Sequence, residues 1–157
     1  LTMLYKQTIQ FALQGGIIDL TCGMTGSAIP VPQAVKQALD AGVPLERLTL
    51  SSDGNGSMPK FNENNELIGL TAAAPRYLYE EMLSIVKAGV LPFDKALQLI
   101  TCNVADALKL EDKGRIAVGK DADLIVWNND LTLNKVFARG RLMVDEGQAV
   151  VKGTFEN

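Results

Sequence analysis

The feature that most constrains the fold is a short apolar segment that ends in a polar, glycine-containing loop. Residues 48–57 read Leu-Thr-Leu-Ser-Ser-Asp-Gly-Asn-Gly-Ser. We interpret residues 47–51 as a buried strand and the following residues as a tight loop. In parallel α/β proteins such as β/α barrels, residues just past the carboxyl end of a strand form the active site. Asp53 therefore lies where a metal ligand or general base is expected, although Asp-Gly after a strand is also typical of an ordinary turn.

The first third of the chain alternates helix and strand. Residues 3–14 predict an amphipathic helix, residues 17–21 a short strand, and residues 31–41 a helix that carries Pro32 in its first turn. With the strand at 47–51, this order is typical of a parallel α/β sheet. A β/α barrel needs eight strands and about 250 residues. If these strands belong to a barrel, we expect most of it to precede residue 1 and the chain to be a fragment.

The rest of the chain predicts a change of architecture near residue 110. Residues 54–74 form a long polar stretch, which indicates a lid, a binding loop or a disordered segment. Three helices are expected between about 78 and 108. Short apolar runs separated by glycines then predict closely spaced strands, a small β module. We therefore expect two domains, residues 1–110 and 111–157.

Composition excludes several functional classes. The net charge is −3 and the lysines and arginines are scattered, so nothing predicts binding to nucleic acid. No apolar run approaches the roughly 20 residues of a membrane span, and we expect a cytoplasmic protein. The 157 residues include no histidine, which leaves carboxylates, hydroxyls and lysines as candidate catalytic groups within this chain. Cys22 and Cys102 have no metal-ligand spacing and are interpreted as buried thiols.

Two segments carry a resemblance to a known family. Thr101-Cys-Asn-Val-Ala-Asp-Ala-Leu-Lys-Leu110, followed by Lys113-Gly-Arg-Ile-Ala-Val-Gly-Lys-Asp-Ala-Asp-Leu-Ile-Val-Trp127, resembles the carboxyl-terminal signature of the amidohydrolase superfamily. Val104 stands where many members carry proline. Within the superfamily, residues 51–57, the closing hairpin 138–144 and the tail 151–156 are most similar to the isoaspartyl (β-aspartyl) dipeptidases.

This resemblance implies a fold. It corresponds to the last strand–helix units of a metal-dependent (β/α)8 TIM barrel, an α/β fold, over residues 1–110. The β module at 111–157 would then be part of a composite β-sandwich domain. Asp121 and Asp123 lie at a turn before a strand of this module, and we expect them to cap the backbone rather than to bind metal.

The resemblance also implies a site. Asp53 matches the family aspartate that touches the metal centre and shuttles a proton, and Ser57 matches a contact to the substrate carboxylate. Without the resemblance, the favoured interpretation of Ser57 is a turn-stabilising hydroxyl. Gly54 and Gly56 would let the loop approach the substrate closely, because glycine tolerates unusual backbone angles. The family's two zinc ions also require four histidines and a carbamylated lysine from earlier strands, so we expect the isolated chain to bind no zinc and to be inactive.

The implied activity is hydrolysis of the isoaspartyl bond of dipeptides by a metal-bound hydroxide, in an enzyme that we expect to be a homo-oligomer when full length. One alternative is another amidohydrolase reaction, such as that of a cyclic-amide hydrolase or a deacetylase. The run at residues 51–57 argues against it. Another alternative is a non-catalytic α/β interaction domain, which the absence of histidine favours for the isolated chain.

Overall fold

The computed structural model describes residues 3–24 and 29–153 and divides the chain into two compact units, Leu1–Leu108 and Lys109–Asn157. Unit 1 contains these elements in chain order: α1 (Met3–Leu13), β1 (Ile18–Thr21), α2 (Val31–Asp40), β2 (Leu48–Ser51), β3 (Ser57–Phe61), β4 (Leu67–Ala72), α3 (Tyr77–Lys87), α4 (Phe93–Gln98) and α5 (Cys102–Leu108). A 3-10 turn, Leu45–Arg47, leads into β2. Among these residues no helix has the length and apolarity that a membrane span requires.

Strands β1 and β2 pair in parallel, which confirms the α/β interpretation of the first third of the chain. Their register runs from Ile18 opposite Leu48 to Thr21 opposite Ser51. Because successive side chains of a strand point to opposite faces, this register gives the sheet one apolar and one polar face. The apolar face carries Ile18 and Leu48 and is buried in the core of unit 1.

Helices cover the apolar face. Helix α2 buries residues at positions i, i+3, i+4 and i+7, as its amphipathic pattern predicts: Val31, Ala34, Val35 and Ala38. Pro32 lies in the first turn of this helix, where its missing N–H is not needed. Helices α3 and α4 add the fully buried Met82, Ile85 and Ala96 to the same core. The apolar face of the sheet therefore packs with these helices in one core.

The polar stretch at residues 54–74 differs from its sequence interpretation, because most of it forms an antiparallel hairpin. Strand β3 pairs with β4 from Ser57 opposite Ala72 to Phe61 opposite Leu67. Asn62 closes the turn, since its Oδ1 accepts hydrogen bonds from the N–H groups of residues 64 and 66 at 3.0 and 2.9 Å. Pro59 and Gly69 lie inside these strands, and both residue types are uncommon in strand interiors, which obscured the pattern.

Unit 2 is a small β module, as the spacing of apolar runs and glycines predicts. Strands β5 (Leu124–Trp127), β6 (Leu133–Ala138), β7 (Arg141–Asp145) and β8 (Gln148–Ala149) form one antiparallel sheet in that order. Gly140 and Gly147 have positive φ values of 78° and 75° in the turns that join neighbouring strands. That this module completes a composite β-sandwich stays a prediction.

The outer edge of β2 is held by the side chain of Asn103 in α5 and by the backbone of Leu99, which follows α4. Asn103 is buried, and its Nδ2 donates to the carbonyl oxygens of Leu45 and Leu48 at 2.8 and 2.9 Å. The N–H of Leu50 donates to the carbonyl of Leu99 at 3.0 Å. Buried backbone carbonyls need such partners, so Asn103 fixes the start of β2.

We expect Asn103→Ala to lower the free energy of unfolding by about 1–3 kcal/mol, because two carbonyls lose their donor in a buried site. Asn134→Ala is the matched control, since Asn134 Nδ2 donates to Asn128 Oδ1 at an exposed position. Urea denaturation of both variants measures the difference. Equal, small effects of the two substitutions would contradict a structural role for Asn103.

Candidate active site

The loop that carries Asp53 is short and tightly hydrogen-bonded. Asp53 follows the end of β2 by two residues and has a φ of 48°, and Asn55 has a φ of 65°. The N–H of Gly56 donates to the carbonyl of Asp53 at 2.8 Å, while Asn55 N–H donates to the carbonyl of Ala73 at 2.9 Å. Aspartate and asparagine tolerate this left-handed backbone better than other non-glycine residues. Asp53 itself is exposed.

Gly54 and Gly56 are explained by the space that a missing Cβ leaves, not by a positive φ angle. Neither has a φ in the left-handed region, unlike the aspartate and asparagine that precede them. A Cβ on Gly56 would lie 2.8 Å from Asp53 O and 2.9 Å from Asp53 Oδ1. A Cβ on Gly54 would lie 3.2 Å from Ser52 Oγ and 3.3 Å from Pro75 Cγ. Gly56 thus leaves the space in which the Asp53 side chain lies.

Ser57 is the first residue of β3 and directly follows this loop. It pairs with Ala72, and its side chain is exposed. The structure therefore brings both candidate side chains, Asp53 and Ser57, to the surface of one tight turn. The role of each in binding or catalysis stays a prediction.

The polar face of the β1–β2 sheet contains a carboxylate that sequence reasoning missed. Asp19 accepts hydrogen bonds from Thr49 Oγ1 at 2.7 Å, to its Oδ1, and from Ser51 Oγ at 2.5 Å, to its Oδ2. One signal in the sequence could have found it, because Asp19 interrupts an otherwise apolar strand, Ile17 to Leu20. Asp19 lies on the face opposite the core.

Cys22, next to the end of β1, is not a reactive thiol. The residue is fully buried, as interpreted from the sequence, whereas Cys102 is only half-buried. Burial, and to a smaller extent the nearby carboxylates of Glu81 and Asp19, raise the pKa of the Cys22 thiol to about 12. Only the thiolate form of cysteine acts as a nucleophile or a metal ligand. Because its pKa is raised, Cys22 stays protonated at neutral pH and is structural.

Asp121 and Asp123 in unit 2 organise a turn, as expected. The Asp123 Oδ1 accepts the N–H of Arg139 at 2.7 Å, and the Lys113 ammonium forms ion pairs with both carboxylates. The hydrogen bond from Lys113, and then that from the Arg139 N–H, lowers the pKa of Asp123. These contacts make the pair a partner of one backbone N–H and of the Lys113 ammonium.

Across residues 3–24 and 29–153, no group of three or more His, Cys, Asp or Glu side chains is arranged to hold a metal ion. Asp53 is exposed, which leaves its carboxylate accessible as a single ligand. Catalytic zinc takes about three protein ligands. A zinc centre that includes Asp53 would therefore need further ligands from residues outside the described ranges.

The family model that matches the chain is the amidohydrolase family, over residues 30–143. This chain belongs to the amidohydrolase family. The matched residues include α2, β2, the Asp53 loop and most of unit 2, so the resemblance found in the sequence is confirmed.

The amidohydrolases similar to this chain include enzymes with different activities. Imidazolonepropionase from Anaeromyxobacter sp. (strain K) is 34% identical over 112 residues, which cover 71% of this chain and 22% of that protein. Adenine deaminase 1 from Carboxydothermus hydrogenoformans is 27% identical over 104 residues, 65% of this chain and 17% of that protein. The chain therefore spans about a fifth of the length of these relatives.

Solved structures give a more extensive match. The β-aspartyl dipeptidase from Fervidobacterium islandicum AW-1, in complex with β-Asp-Leu dipeptide, is 32% identical with a TM-score of 0.82, covering 96% of this chain and 39% of that one. N-acetylglucosamine-6-phosphate deacetylase from Thermotoga maritima is 18% identical with a TM-score of 0.61, covering 83% and 39%. The second match shows a common fold only.

We expect Gly56→Ala to lower the free energy of unfolding by about 1–3 kcal/mol, because its Cβ would overlap Asp53 and force the loop to move. Gly54→Ala is the matched control and should cost less than about 1 kcal/mol, since the Ser52 hydroxyl can rotate away. Denaturant unfolding of both variants measures the difference. A larger effect at Gly54 than at Gly56 would contradict this account of the loop.

Proposed function

We propose that the complete protein is a metal-dependent peptidase that hydrolyses the isoaspartyl bond of dipeptides. The observation that carries the proposal is the similarity to the β-aspartyl dipeptidase over 96% of this chain, with a TM-score of 0.82. The position of Asp53 at the carboxyl end of a parallel strand supports it, because active sites of β/α barrels lie at that end. The chain covers 39% of that dipeptidase, so the activity belongs to the complete protein.

Asp53 is proposed to move the proton. The metal in our proposal is zinc, as two ions. They would polarise the scissile carbonyl and make water a stronger nucleophile at neutral pH. Asp53 would be one ligand, take the proton of the attacking water and deliver it to the leaving amine. A nearby cation keeps a carboxylate ionised and therefore able to accept that proton. Because backbone hydrogen bonds hold the loop, Asp53 would take this role with little rearrangement of the backbone.

Ser57 is proposed to bind the substrate. Its exposed hydroxyl, next to Gly56 at the start of β3, offers a neutral donor to a substrate carboxylate. An isoaspartyl dipeptide carries two carboxylates and an amine, so a correct orientation requires several such contacts. Gly54 and Gly56 contribute by keeping the loop free of side chains near these groups.

The remaining parts of the proposal concern the complete protein. We infer that it closes a (β/α)8 barrel, that unit 2 joins a composite β-sandwich, and that the enzyme is a cytoplasmic homo-oligomer. Histidine ligands would come from outside these 157 residues, since the chain has no histidine, and the family resemblance implies that the carbamylated lysine lies on an earlier strand. The isolated chain is accordingly expected to be inactive.

A second candidate is another amidohydrolase reaction, which the imidazolonepropionase and adenine deaminase relatives favour. Those similarities cover at most 22% of the relatives quoted above. Assays of the purified complete protein with β-Asp-Leu and with adenine separate the candidates. Release of leucine from the first supports the dipeptidase proposal, and release of ammonia from the second, with the dipeptide intact, overturns it.

We expect Asp53→Asn in the complete protein to lower kcat on β-Asp-Leu by on the order of 100-fold or more. The amide keeps the shape of the side chain but cannot accept a proton. Metal analysis after dialysis is the control, because a loss of metal would also lower kcat. A near-normal kcat with the metals retained would contradict the role of Asp53.

We expect Ser57→Ala to act mainly on KM. It removes one hydrogen bond to a charged group, worth roughly 1.5–3 kcal/mol, in both ground and transition states. The corresponding rise in KM is about 10- to 150-fold with little change in kcat. Steady-state kinetics on β-Asp-Leu measures both constants, and if neither changes, Ser57 has no part in substrate binding.

A further inference from the structure

Asp53 lies between two anchored points of the backbone. On the carboxyl-terminal side, Ala73 accepts from Asn55 N–H and donates to Gly56 O, each at 2.9 Å. On the amino-terminal side, the carbonyl of Ser51 accepts the N–H of Cys22 at 2.8 Å. Only Ser52 separates this second anchor from Asp53. The conformation of Asp53 is therefore set by how firmly both anchors hold.

The amino-terminal anchor has a side-chain component. The hydroxyl of Ser51 donates to Asp19 Oδ2 at 2.5 Å, across the β1–β2 pairing. The other oxygen of Asp19 accepts from Thr49 at 2.7 Å. Hydrogen bonds to a charged acceptor are among the stronger ones in proteins. A single carboxylate of β1 thus holds two successive polar residues of β2.

This anchor has a specific conformation to maintain. Asp53 has a φ of 48°, a left-handed backbone that is unfavourable for a residue with a Cβ. Such conformations persist only where the surrounding structure enforces them, and they cluster at functional sites. With the Ala73 contacts and the backbone hydrogen bond from Cys22 to Ser51 intact, loss of the contact between the Ser51 hydroxyl and Asp19 would loosen the segment from 51 to 53.

We propose that Asp19 is a positioning residue, which holds the carboxyl end of β2 through Ser51 and thereby fixes the catalytic carboxylate of Asp53. The kinetic part of this inference rests on the proposed function. Asp19 acts here as a hydrogen-bond acceptor and not as a proton carrier. Thr49 supplies a comparison within the same cluster, because it binds the same carboxylate but lies two residues further from Asp53.

The test uses four variants of the complete protein: Asp19→Ala, Asp19→Asn, Ser51→Ala and Thr49→Val. Asparagine can accept from one hydroxyl and donate to the other, so Asp19→Asn retains the geometry without the charge. The first measurement is amide hydrogen exchange of residues 52–57 by mass spectrometry, with α3 as the internal reference. The second is kcat and KM on β-Asp-Leu, also in combination with Asp53→Asn.

We expect residues 52–57 to exchange at least about threefold faster in Asp19→Ala and in Ser51→Ala, with α3 unchanged. Thr49→Val and Asp19→Asn should remain near the wild-type rate. On β-Asp-Leu, Asp19→Ala and Ser51→Ala should lower kcat about 10-fold at nearly constant KM, since displacement of a catalytic group is costly. Asp19→Ala should add no further loss to Asp53→Asn, because residues that act through one group are not additive.

Three results would overturn the proposal. Unchanged exchange at 52–57 in both Asp19→Ala and Ser51→Ala would show that the cluster holds nothing, and Ser51→Ala keeps this test available if Asp19→Ala does not fold. An Asp19→Asn variant as impaired as Asp19→Ala would assign a role to the charge instead. Equal losses in Thr49→Val and Ser51→Ala would indicate a general effect on stability. If exchange behaves as expected but wild-type protein leaves β-Asp-Leu intact, the proposed function fails and the positioning role stands.

Discussion

The parallel pairing of the four-residue strands β1 and β2 determines which of their side chains are buried in the core of unit 1 and which form the polar face. The register places Ile18 opposite Leu48 and therefore Asp19 opposite Thr49. Burial of the apolar face in a core shared with α1, α2, α3 and α4 stabilises this register by roughly 25 cal/mol for each Å² of apolar surface removed from water. A slip by one residue would turn that face to solvent and bury a carboxylate. The polar face, with Asp19 and its two hydroxyl partners, is thus a consequence of the core.

At the outer edge of β2, one residue of the family signature has a clear structural role. Asn103 belongs to the segment 101–110 that resembles the amidohydrolase signature, and it donates to Leu45 O and Leu48 O. An amide at this position satisfies two carbonyls just where the 3-10 turn becomes a strand. Alanine or leucine would satisfy neither, so the asparagine is explained by backbone hydrogen bonding. The motif that identifies the family thus stabilises the strand that delivers Asp53.

Sequence reasoning succeeded where periodicity was strong and failed where a fold-level contact decided the outcome. The pattern of α2, with Pro32 at its start, is local, and the structure has that helix at Val31–Asp40. The β3–β4 hairpin was missed because Pro59 and Gly69 weaken both strands by propensity, while long-range pairing overrides propensity. The partnership of Asp19 with Ser51 depends on a parallel register between segments 32 residues apart, which no local pattern encodes.

The β3–β4 hairpin positions Ser57 and one side of the loop that carries Asp53. Strand β4 is exposed along its whole length, so its position depends on pairing with β3 and on Met58 and Ala73, which are buried at 4% and 1% exposure. Ala73 also holds Asn55 and Gly56, and Ser57 follows them directly. A shift of the hairpin therefore moves the exposed hydroxyl and the far side of the Asp53 loop together, whereas β1 fixes the near side through Ser51. The separation between carboxylate and hydroxyl is consequently set by two supports, one strand of the sheet and one strand of the hairpin, and a substrate that touches both residues would sense their relative position.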